Sequence, residues 1–353
     1  MIQGTSKIRN EKEYRALPLD SASTLKDFAE DRKKYYRKYI LLESVEEEET
    51  QSSLMGRLVD TLLLEREKFN DRFTLSACIK APSGMMLDFV NALCNITIEC
   101  LDEEGKVTRS FEDRSKDAYI KSGYSIAYER VLKNFEGGDA EIYYNEILNS
   151  RVKGLSIVTA MDIDNAEKVV DNLRTNFVTS EIVNTVDSAR YTVKNQLQVE
   201  NFEIDGFPLK GMMDKMITDH FQHKIYVYDL KCVWSVENFY HEYYLKRKAY
   251  IQAYVYYRAA MKIANSLKEE TSIHYDVEPP IFLVCDSINY YNPLLYKLSE
   301  ADLSDAYEGF EYKGRQYPGV KTIIEELKFS LENNIWNISR ENYLSNGVVK
   351  LKK

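Results

Sequence analysis

Long apolar segments are missing from this sequence, and its longest apolar runs are far too short to cross a bilayer. The first ten residues also lack the apolar core that a signal peptide needs. The five cysteines form no Cys-x-x-Cys pair, and such an odd, scattered set is typical of reduced thiols in a cytosol. We therefore expect a cytoplasmic protein that has no membrane partner.

An overall excess of basic residues is also missing, because the formal net charge is -9 and the pI is about 5.3. This balance argues against a protein that coats nucleic acid nonspecifically. It is compatible with a local basic groove. The candidate basic clusters are 32–34, 37–38 and 246–248, and each lies near tyrosines. Aromatic rings beside cations suit contacts with single strands or frayed ends, whereas the alternative is an ordinary solvated helix surface.

The chain of 353 residues, with 44% hydrophobic content, is long enough to bury a substantial core. Its length is compatible with one elaborated domain or two small ones. We interpret 1–20 as a polar lead-in and 21–353 as one domain with an insertion at about 80–188. The sequence pattern predicts helices at about 22–40, 52–67, 162–176 and 319–333. Inside the insertion, it predicts a hairpin around 97–111 and a short strand at 140–147.

Two acidic residues and a lysine occur on a pair of predicted strands. Segments 208–218 and 224–233 are separated by a polar turn, and the second is rich in Ile, Val and Tyr. Because side chains alternate across a strand, Asp229 and Lys231 fall on one face, while Asp214 belongs to the partner strand. Apolar neighbours favour a buried functional pair. The alternative is a weak surface ion pair on a solvated edge strand.

The helix predicted from Val236 to about Ala264 contains no Gly or Pro and follows this strand directly. Helical spacing places one set of side chains on a common face, namely His241, Leu245, Lys248, Gln252 and Tyr256. A Gln four residues before a Tyr is a weak signal alone, because a tyrosine-rich amphipathic helix usually serves packing. Its position immediately after the Asp-x-Lys strand gives this motif its weight.

Together these motifs resemble the PD-(D/E)XK nucleases, and in particular their phage and RecE/RecB-like exonuclease branch. The matching pieces include Gly211-x-x-Asp214, Asp229-x-Lys231 and Gln252-x-x-x-Tyr256. Upstream, Ser-Ala-Ser-Thr-Leu-Lys at 21–26 and Gly-x-x-x-Asp at 56–60 resemble the two early helices of the branch, and downstream segments 281–286 and 292–298 resemble its closing strands. The pieces keep family order over residues of about 20 to 300. The resemblance implies an α/β (α+β) fold with a restriction-endonuclease-like core, in which helices flank a central mixed β-sheet.

The resemblance also implies the chemistry of the site. Hydrolysis of a phosphodiester needs a metal to neutralise developing charge and to generate hydroxide, and magnesium prefers hard oxygen ligands. The implied ligands of Mg²⁺, for which Mn²⁺ is expected to substitute, are Asp214, Asp229 and the backbone carbonyl of Leu230. Lys231 would orient or deprotonate the attacking water, and Gln252 and Tyr256 would position the nucleotide or order the lysine and water. The expected nucleic-acid-binding side chains are Lys248, His241, Arg247 and Lys34.

The sequence departs from the family pattern at two places. Where the branch carries a histidine on its early helix, this chain has Asp60, a harder oxygen ligand that keeps a metal role open. The alternative is an aspartate on a helix surface. The third acidic ligand is not identified, since Gln196, Gln198 and Glu200 share one face of the preceding strand and either glutamine is a candidate.

The implied function is a metal-dependent DNA exonuclease of the phage recombination type, which hydrolyses phosphodiester bonds from DNA ends. Two alternatives stay open: a structure-specific or defence-related endonuclease, and a non-catalytic DNA-binding relative, against which the intact Asp and Lys residues count. The implied partners are DNA, a single-strand annealing recombinase and further copies of this chain, in a bacterial host cell if the chain is phage-encoded. Some relatives carry an iron–sulfur cluster near the C-terminus, but no cysteine follows Cys285, so no cluster is expected.

Overall fold

The computed structural model describes residues 11–43, 50–78, 81–349 and 351. The chain divides into two compact units. Met1–Leu64 and Lys168–Lys353 make up the sheet unit, and Glu65–Glu167 make up the helical unit. The assignment of 21–353 to one domain with an insertion at about 80–188 remains a prediction. Residues 1–10 of the expected polar lead-in lie outside the described residues.

Helices and strands both occur along the described chain. The helices are α1 (Glu11–Arg15), α2 (Ala22–Glu30), α3 (Arg32–Tyr35), α4 (Gln51–Leu64), α5 (Phe69–Arg72), α6 (Met85–Glu99), α7 (Phe111–Ser122), α8 (Tyr128–Phe135), α9 (Asp139–Lys153), α10 (Ala160–Thr175), α11 (Ser180–Asn184), α12 (Ala249–Thr271), α13 (Glu300–Glu308), α14 (Val320–Asn333) and α15 (Arg340–Leu344). The strands are β1 (Phe73–Leu75), β2 (Ser156–Val158), β3 (Tyr191–Ile204), β4 (Phe207–Asp219), β5 (Lys224–Val233), β6 (Asp276–Val277), β7 (Ile281–Asp286), β8 (Leu294–Lys297), β9 (Gly309–Tyr312) and β10 (Arg315–Pro318). None of the helices in the described ranges combines the length and apolar character needed to span a membrane.

A mixed sheet, six-stranded within the described residues, forms the centre of the sheet unit. Its strand order is β3-β4-β5-β7-β8, and β6 also pairs with β5. Strand β4 runs antiparallel to both β3 and β5, whereas β7 runs parallel to β5 and antiparallel to β8. Helices including α2, α12 and α14 contribute buried side chains to the core around this sheet. The predicted fold class, a central mixed sheet flanked by helices, is confirmed.

The central strands follow from their residue content. Strand β5 has the predicted bounds, and β4 extends the predicted strand 208–218 by one residue at each end. Branched and aromatic side chains suit a pleated surface covered by other elements, and Ile225 and Val227 are completely buried. Burial of such a side chain contributes about 1.5–3 kcal/mol. Asp229 and Lys231 therefore continue a strand that is anchored by its apolar half.

The start of β4 is tied to the beginning of the described chain. Asp20 forms a parallel bridge with Leu209, and the N–H of Lys210 donates to the carbonyl of Asp20 at 2.8 Å. The buried Lys210 ammonium donates to three backbone carbonyls, at 3.0, 2.8 and 2.8 Å, which are those of Tyr14, Arg15 and Leu17. An ammonium has three N–H donors, so this cage satisfies all of them. The segment before α2 therefore completes the hydrogen bonding of β4.

The helical unit has its own apolar core, to which α6, α7, α8 and α9 contribute Phe89, Leu93, Ala118, Phe135 and Tyr144. The two strands of the hairpin predicted around 97–111 are wrong, because α6 continues to Glu99. The predicted turn at 102–105 is present, and an isolated antiparallel bridge between Leu101 and Val107 closes it. The prediction of a strand at 140–147 is also wrong. Buried residues recur there with helical spacing, at Ala140, Tyr144 and Ile147 of α9. Packing on one helix face thus outweighs the strand preference of Ile and Tyr.

Several predicted helices are present. The segment predicted at 162–176 is α10, and its apolar face is buried at Ala166, Val169, Val170 and Leu173. The segment at 319–333 is α14, and the segment at 52–67 is α4, which ends at Leu64. The helix predicted over 22–40 is interrupted at Asp31, whose extended backbone ends α2 and whose side chain caps α3. A short π-helical segment then covers Tyr36–Ile40.

Candidate active site

Two aspartates from neighbouring strands meet in the central sheet. Strands β4 and β5 pair with Lys215 opposite Tyr228, so the next positions along the two strands are Asp214 and Asp229. The backbone N–H of Leu230 donates to Asp214 Oδ2 at 2.8 Å, which fixes the first carboxylate against the second strand. Asp229 is only 1% exposed. The two carboxylates are therefore held side by side by strand pairing.

Lys231 supplies positive charge to this pair. Its ammonium forms an ion pair with Asp229 Oδ2 and lies 3.4 Å from the carbonyl oxygen of Leu230. Desolvation alone would lower the pKa of Lys231, but the charges of Asp229 and Asp214 outweigh this effect and hold the pKa above its ordinary value. Lys231 is therefore a protonated side chain at neutral pH.

The surroundings of Asp214 oppose its ionisation. Desolvation raises the pKa of Asp214 well above its ordinary value of 3.8, and the negative charges of Asp229 and Asp60 raise it further. Lys231 and the N–H of Leu230 act in the opposite direction without balancing these effects. Asp214 and Lys231 are both half-buried, so the group opens to the protein surface. Strongly perturbed carboxyl groups beside a specific charge partner are typical of functional sites.

Helix α12 places Gln252 and Tyr256 at the aspartates. Gln252 Nε2 donates to Asp229 Oδ1 at 2.8 Å and to the Tyr256 hydroxyl at 2.9 Å. The two residues are four positions apart, so one helical turn aligns their side chains. Desolvation, together with the charges of Asp229 and Asp214, raises the pKa of Tyr256 well above its ordinary value. The tyrosine hydroxyl therefore keeps its proton, and the motif residues form one connected network.

A second lysine, Lys26 of α2, belongs to the site although the sequence did not single it out as a functional residue. Its ammonium donates to Gln252 Oε1 at 3.1 Å. Desolvation, and then the positive charge of Lys231, lowers the pKa of Lys26 to about 8. The contact joins residues that are 226 positions apart in the chain. Strand alternation and helix periodicity carry no information at that distance.

The signal for Lys26 was present in the Ser-Ala-Ser-Thr-Leu-Lys segment. Ser21 and Thr24 form a capping box that starts α2, with the N–H of each donating to the hydroxyl of the other. Leu25 is completely buried and anchors the helix in the core. Lys26 follows directly and points to Gln252. The segment thus combines a helix start, a core anchor and one side chain of the site.

The helix predicted over 236–264 is not continuous. A π-helical segment covers Tyr240–Lys246, Lys248 adopts a left-handed φ of 53°, and α12 begins at the next residue. The prediction that His241 and Lys248 share one uninterrupted helical face with Gln252 is therefore wrong. A non-glycine residue in this conformation costs about 1–3 kcal/mol, and no Gly or Pro marks the break in the sequence. The surrounding packing must hold Lys248 in place.

The residues predicted to bind nucleic acid lie at different places. Lys248 is close enough to Lys26 for its charge to lower the pKa of that lysine. His241 packs instead against aromatic rings, with its ring centroid 6.0 Å from that of Tyr312. The structure therefore brings Lys248 to the site, and the binding roles of both residues remain predictions.

The other two basic candidates have partners within the protein. The Arg247 guanidinium lies 4.6 Å from the ring centroid of Tyr243. Lys34 pairs with Asp27 at 3.3 Å, which offsets its charge. Their binding of nucleic acid likewise remains a prediction.

Strand β3 contributes an amide side chain beside Asp214. Gln196, with a left-handed φ of 46°, donates from Nε2 to Asp214 Oδ1 at 3.5 Å. Gln198 lies opposite Met212 in the strand register, and Glu200 is buried. Gln196 reaches the first aspartate, and it offers a neutral side chain rather than a carboxylate.

The oxygen atoms of the site fit a magnesium ion. Within the described ranges, no three His, Cys, Asp or Glu side chains come together as a metal site. Mg²⁺ commonly uses one or two carboxylates and several waters, so Asp214, Asp229 and the Leu230 carbonyl form an adequate set. Desolvation is the largest cause of the raised pKa of Asp214, and the repulsion from Asp229 and Asp60 that adds to it is the kind that a cation offsets. Asp60 contributes charge to this group, and its role as a ligand remains a prediction.

Comparisons with known proteins add little to this geometry. No protein-family model matches the chain, and no curated protein matches it. The chain is similar to a crystal structure from Eubacterium rectale named "Putative exonuclease", with 12% sequence identity and a TM-score of 0.47. The similarity covers 99% of this chain and 95% of that one. Values of identity and TM-score this low establish no shared function.

Proposed function

We propose that this chain is a metal-dependent nuclease that hydrolyses phosphodiester bonds of DNA. The observation that supports the proposal is the convergence of Asp214, Asp229 and Lys231 on two paired strands, with Gln252 bonded to the second carboxylate. An aspartate that is 1% exposed is not part of a solvated surface ion pair. Carboxylates that repel one another beside a protonated lysine favour a divalent cation and a negatively charged substrate.

The proposed mechanism assigns Asp214, Asp229 and the Leu230 carbonyl to Mg²⁺. When bound, the metal neutralises developing negative charge and lowers the pKa of water. The Lys231 ammonium donates a hydrogen bond to the attacking water and offsets charge on the scissile phosphate. We assign Lys231 the role of orienting that water, or of taking its proton once a cation offsets the charges of Asp214 and Asp229.

The neutral side chains of the site keep the charged ones in position. Gln252 donates to Asp229 Oδ1, so this carboxylate keeps its orientation between the amide and Lys231. Tyr256 accepts the second hydrogen bond of the same amide, and its own proton remains available for a substrate oxygen. These contacts organise the site before substrate binds, which lowers the reorganisation needed during the reaction.

Within this proposal, we infer an exonuclease that starts at DNA ends. The inference rests on the combination of the Ser-Ala-Ser-Thr-Leu-Lys segment, the Gly-x-x-x-Asp segment and the Gln252/Tyr256 helix, which resembles end-processing enzymes. DNA would be held by Lys248, Arg247, His241 and Lys34. A single-strand annealing recombinase and further copies of this chain are the proposed protein partners.

The test compares labelled linear duplex with covalently closed circles of the same sequence, in magnesium, manganese or EDTA. We expect short products from linear DNA with either metal and no cleavage in EDTA. Lys224→Ala is the matched control for substitution of Lys231. Lys224 lies on the same strand as Lys231 and pairs with Glu278 near the surface. Comparable nicking of circles would establish the endonuclease alternative. Absence of cleavage of both substrates in both metals would overturn the proposal.

A further inference from the structure

The side-chain amide of Gln252 is held at both ends. At the oxygen end, the Lys26 ammonium donates to Oε1 at 3.1 Å. At the nitrogen end, Nε2 donates to Asp229 Oδ1 at 2.8 Å and to the Tyr256 hydroxyl at 2.9 Å. Both N–H groups of the amide and its carbonyl oxygen are therefore engaged at once.

The chemistry of these partners permits one orientation of the amide. An ammonium offers donors and no acceptor, whereas an ionised carboxylate only accepts. Rotation of the amide by half a turn would place its NH₂ group against Lys26 and its oxygen against Asp229, and both contacts would be repulsive. Lys26 and Asp229 thus select the same orientation from opposite sides. Without Lys26, the oxygen end of Gln252 loses its charged donor.

The position of Lys26 is unfavourable for its charge, and α2 does not need that charge to pack. Desolvation and the neighbouring Lys231 lower the pKa of Lys26 to about 8, so the ammonium is disfavoured there. The helix is already fixed by its capping box and by Leu25 and Phe28, which are 0% and 3% exposed. A partly desolvated charge that adds nothing to packing is more typical of a functional site than of a core.

We propose that Lys26 is a positioning residue: it fixes the amide of Gln252, and Gln252 in turn fixes the carboxylate of Asp229. With Oδ1 bonded to Gln252, Asp229 directs Oδ2 toward Lys231. The catalytic consequence rests on the proposed nuclease function, whereas the amide orientation is a property of the free protein. A catalytic group displaced by about 1 Å can lose about 100-fold in rate.

The first test follows the amide by NMR without substrate or metal. The chain has seven glutamines, so selective ¹⁵N-glutamine labelling gives a small set of side-chain NH₂ signals, and Gln252→Glu identifies the pair from Gln252. In the wild type, this pair should exchange slowly with solvent because both N–H groups are bonded. Lys26→Met should speed the exchange, and Lys26→Arg, which keeps a cationic donor, should restore part of the protection. Unchanged exchange in Lys26→Met would overturn the proposal.

The second test separates positioning from substrate binding. Lys26→Met should lower kcat about 10- to 100-fold and change KM by less than about threefold, with partial recovery in Lys26→Arg. The matched control is Lys268→Met, at the exposed end of the helix that carries Gln252, and it should retain wild-type kinetics. In a Gln252→Ala background, Lys26→Met should cost less than about twofold, because no amide remains to be oriented.

Two results of the kinetic test would count against positioning. An equal loss from Lys26→Met in both backgrounds, or a rise in KM alone, would show that Lys26 contacts the substrate directly. Thermal melting of every variant identifies loss of folding, and Lys26→Arg preserves a readout if Lys26→Met does not fold. A wild-type protein that cleaves no DNA would overturn the nuclease proposal, and the NMR exchange rates would still decide whether Lys26 orients Gln252.

Discussion

Asp214 and Asp219 lie five residues apart on β4, and their surroundings act on them in opposite directions. Asp219, which is 2% exposed, is surrounded by donors. Arg190 donates to Oδ2 from Nε and Nη2 at 3.0 and 2.7 Å, and the N–H groups of Phe221 and Gln222 donate to Oδ1 at 2.9 and 3.0 Å. The bond from Arg190, followed by those backbone groups, holds the pKa of Asp219 below its ordinary value.

Asp214 has a different balance. Its close donor is the N–H of Leu230 at 2.8 Å, and the amide of Gln196 is farther away at 3.5 Å. Desolvation and two nearby carboxylates raise its pKa. A carboxylate balanced by protein donors holds a turn, whereas one left in excess negative charge favours a cation.

The largest expected contrast between the two aspartates is in activity. Asp214→Asn should lower kcat/KM on linear DNA by about 10³-fold or more, because the loss of a metal ligand removes several kcal/mol of charge stabilisation. Asp219→Asn should remain within about threefold of wild type, since its partners hold a turn. Steady-state cleavage in magnesium, well below the melting temperature of each variant, measures both. Equal losses would remove the functional distinction.

Substitution of Lys231, beside Asp214, should lower activity far more than substitution of Arg190, beside Asp219. Lys231→Met should lower kcat about 10²- to 10³-fold, because an ammonium placed to offset charge on the phosphate is lost. Arg190→Met should affect stability and leave kcat unchanged. Single-turnover cleavage at saturating protein isolates the chemical step. Retention of wild-type kcat by Lys231→Met would rule out the proposed mechanism.

Asp214→Asn is expected to be the less active of the two aspartate variants, but in EDTA it should be the more stable one. Asp219→Asn should lower the free energy of unfolding by about 1–2 kcal/mol, because charge-assisted hydrogen bonds are weakened. Asp214→Asn should raise it by about 1 kcal/mol at neutral pH, because a disfavoured ionisation is removed. Urea unfolding of both variants gives the two values. A destabilised Asp214→Asn would indicate that this carboxylate has a structural role.

The pH dependence in EDTA sharpens the comparison further. The folded-state pKa of Asp219 is lowered, so its stabilisation is complete above pH 3.8 and is lost as pH falls through the folded pKa. The folded-state pKa of Asp214 is raised, so its contribution is complete below pH 3.8 and is lost as pH rises through the folded pKa. At neutral pH, Asp219→Asn should therefore be less stable than wild type and Asp214→Asn more stable. Both differences in the free energy of unfolding should become smaller as the pH is lowered. Unfolding curves between about pH 3 and 8 measure it.

Asp60 should give the smallest effect, because it acts on Asp214 through charge. Asp60→Ala should raise the half-saturating magnesium concentration about threefold, and Asp60→His should partly restore it if this position serves as a ligand. A metal titration of DNA cleavage checks both variants. An unchanged titration in Asp60→Ala would make this residue a bystander on the helix surface.

The sequence was sufficient for features that depend on short-range patterns. The residue composition predicted strands β4 and β5, and the alternation of side chains along a strand predicted that Asp229 and Lys231 share one face. Helical spacing predicted that Gln252 and Tyr256 lie side by side. The break at Lys248 could not be predicted in this way, because the residue adopts a left-handed conformation without Gly or Pro. Lys26 was missed because its partner lies 226 residues away. The errors at 97–111 and 140–147 arose where burial on helix faces outweighed residue preference.

The cage of carbonyls around Lys210 also bears on when the site is completed during synthesis. Its partner carbonyl on Tyr14 lies 196 residues earlier in the chain. At about 5 to 20 residues per second, the segment before α2 leaves the ribosome roughly 10 seconds or more before the lysine that binds it. During that interval, the helices at the start of the chain have no β4 to pack against. The pairing of β4 with the segment before α2, and with it the part of the sheet that carries Asp214, forms only after Lys210 has been synthesised.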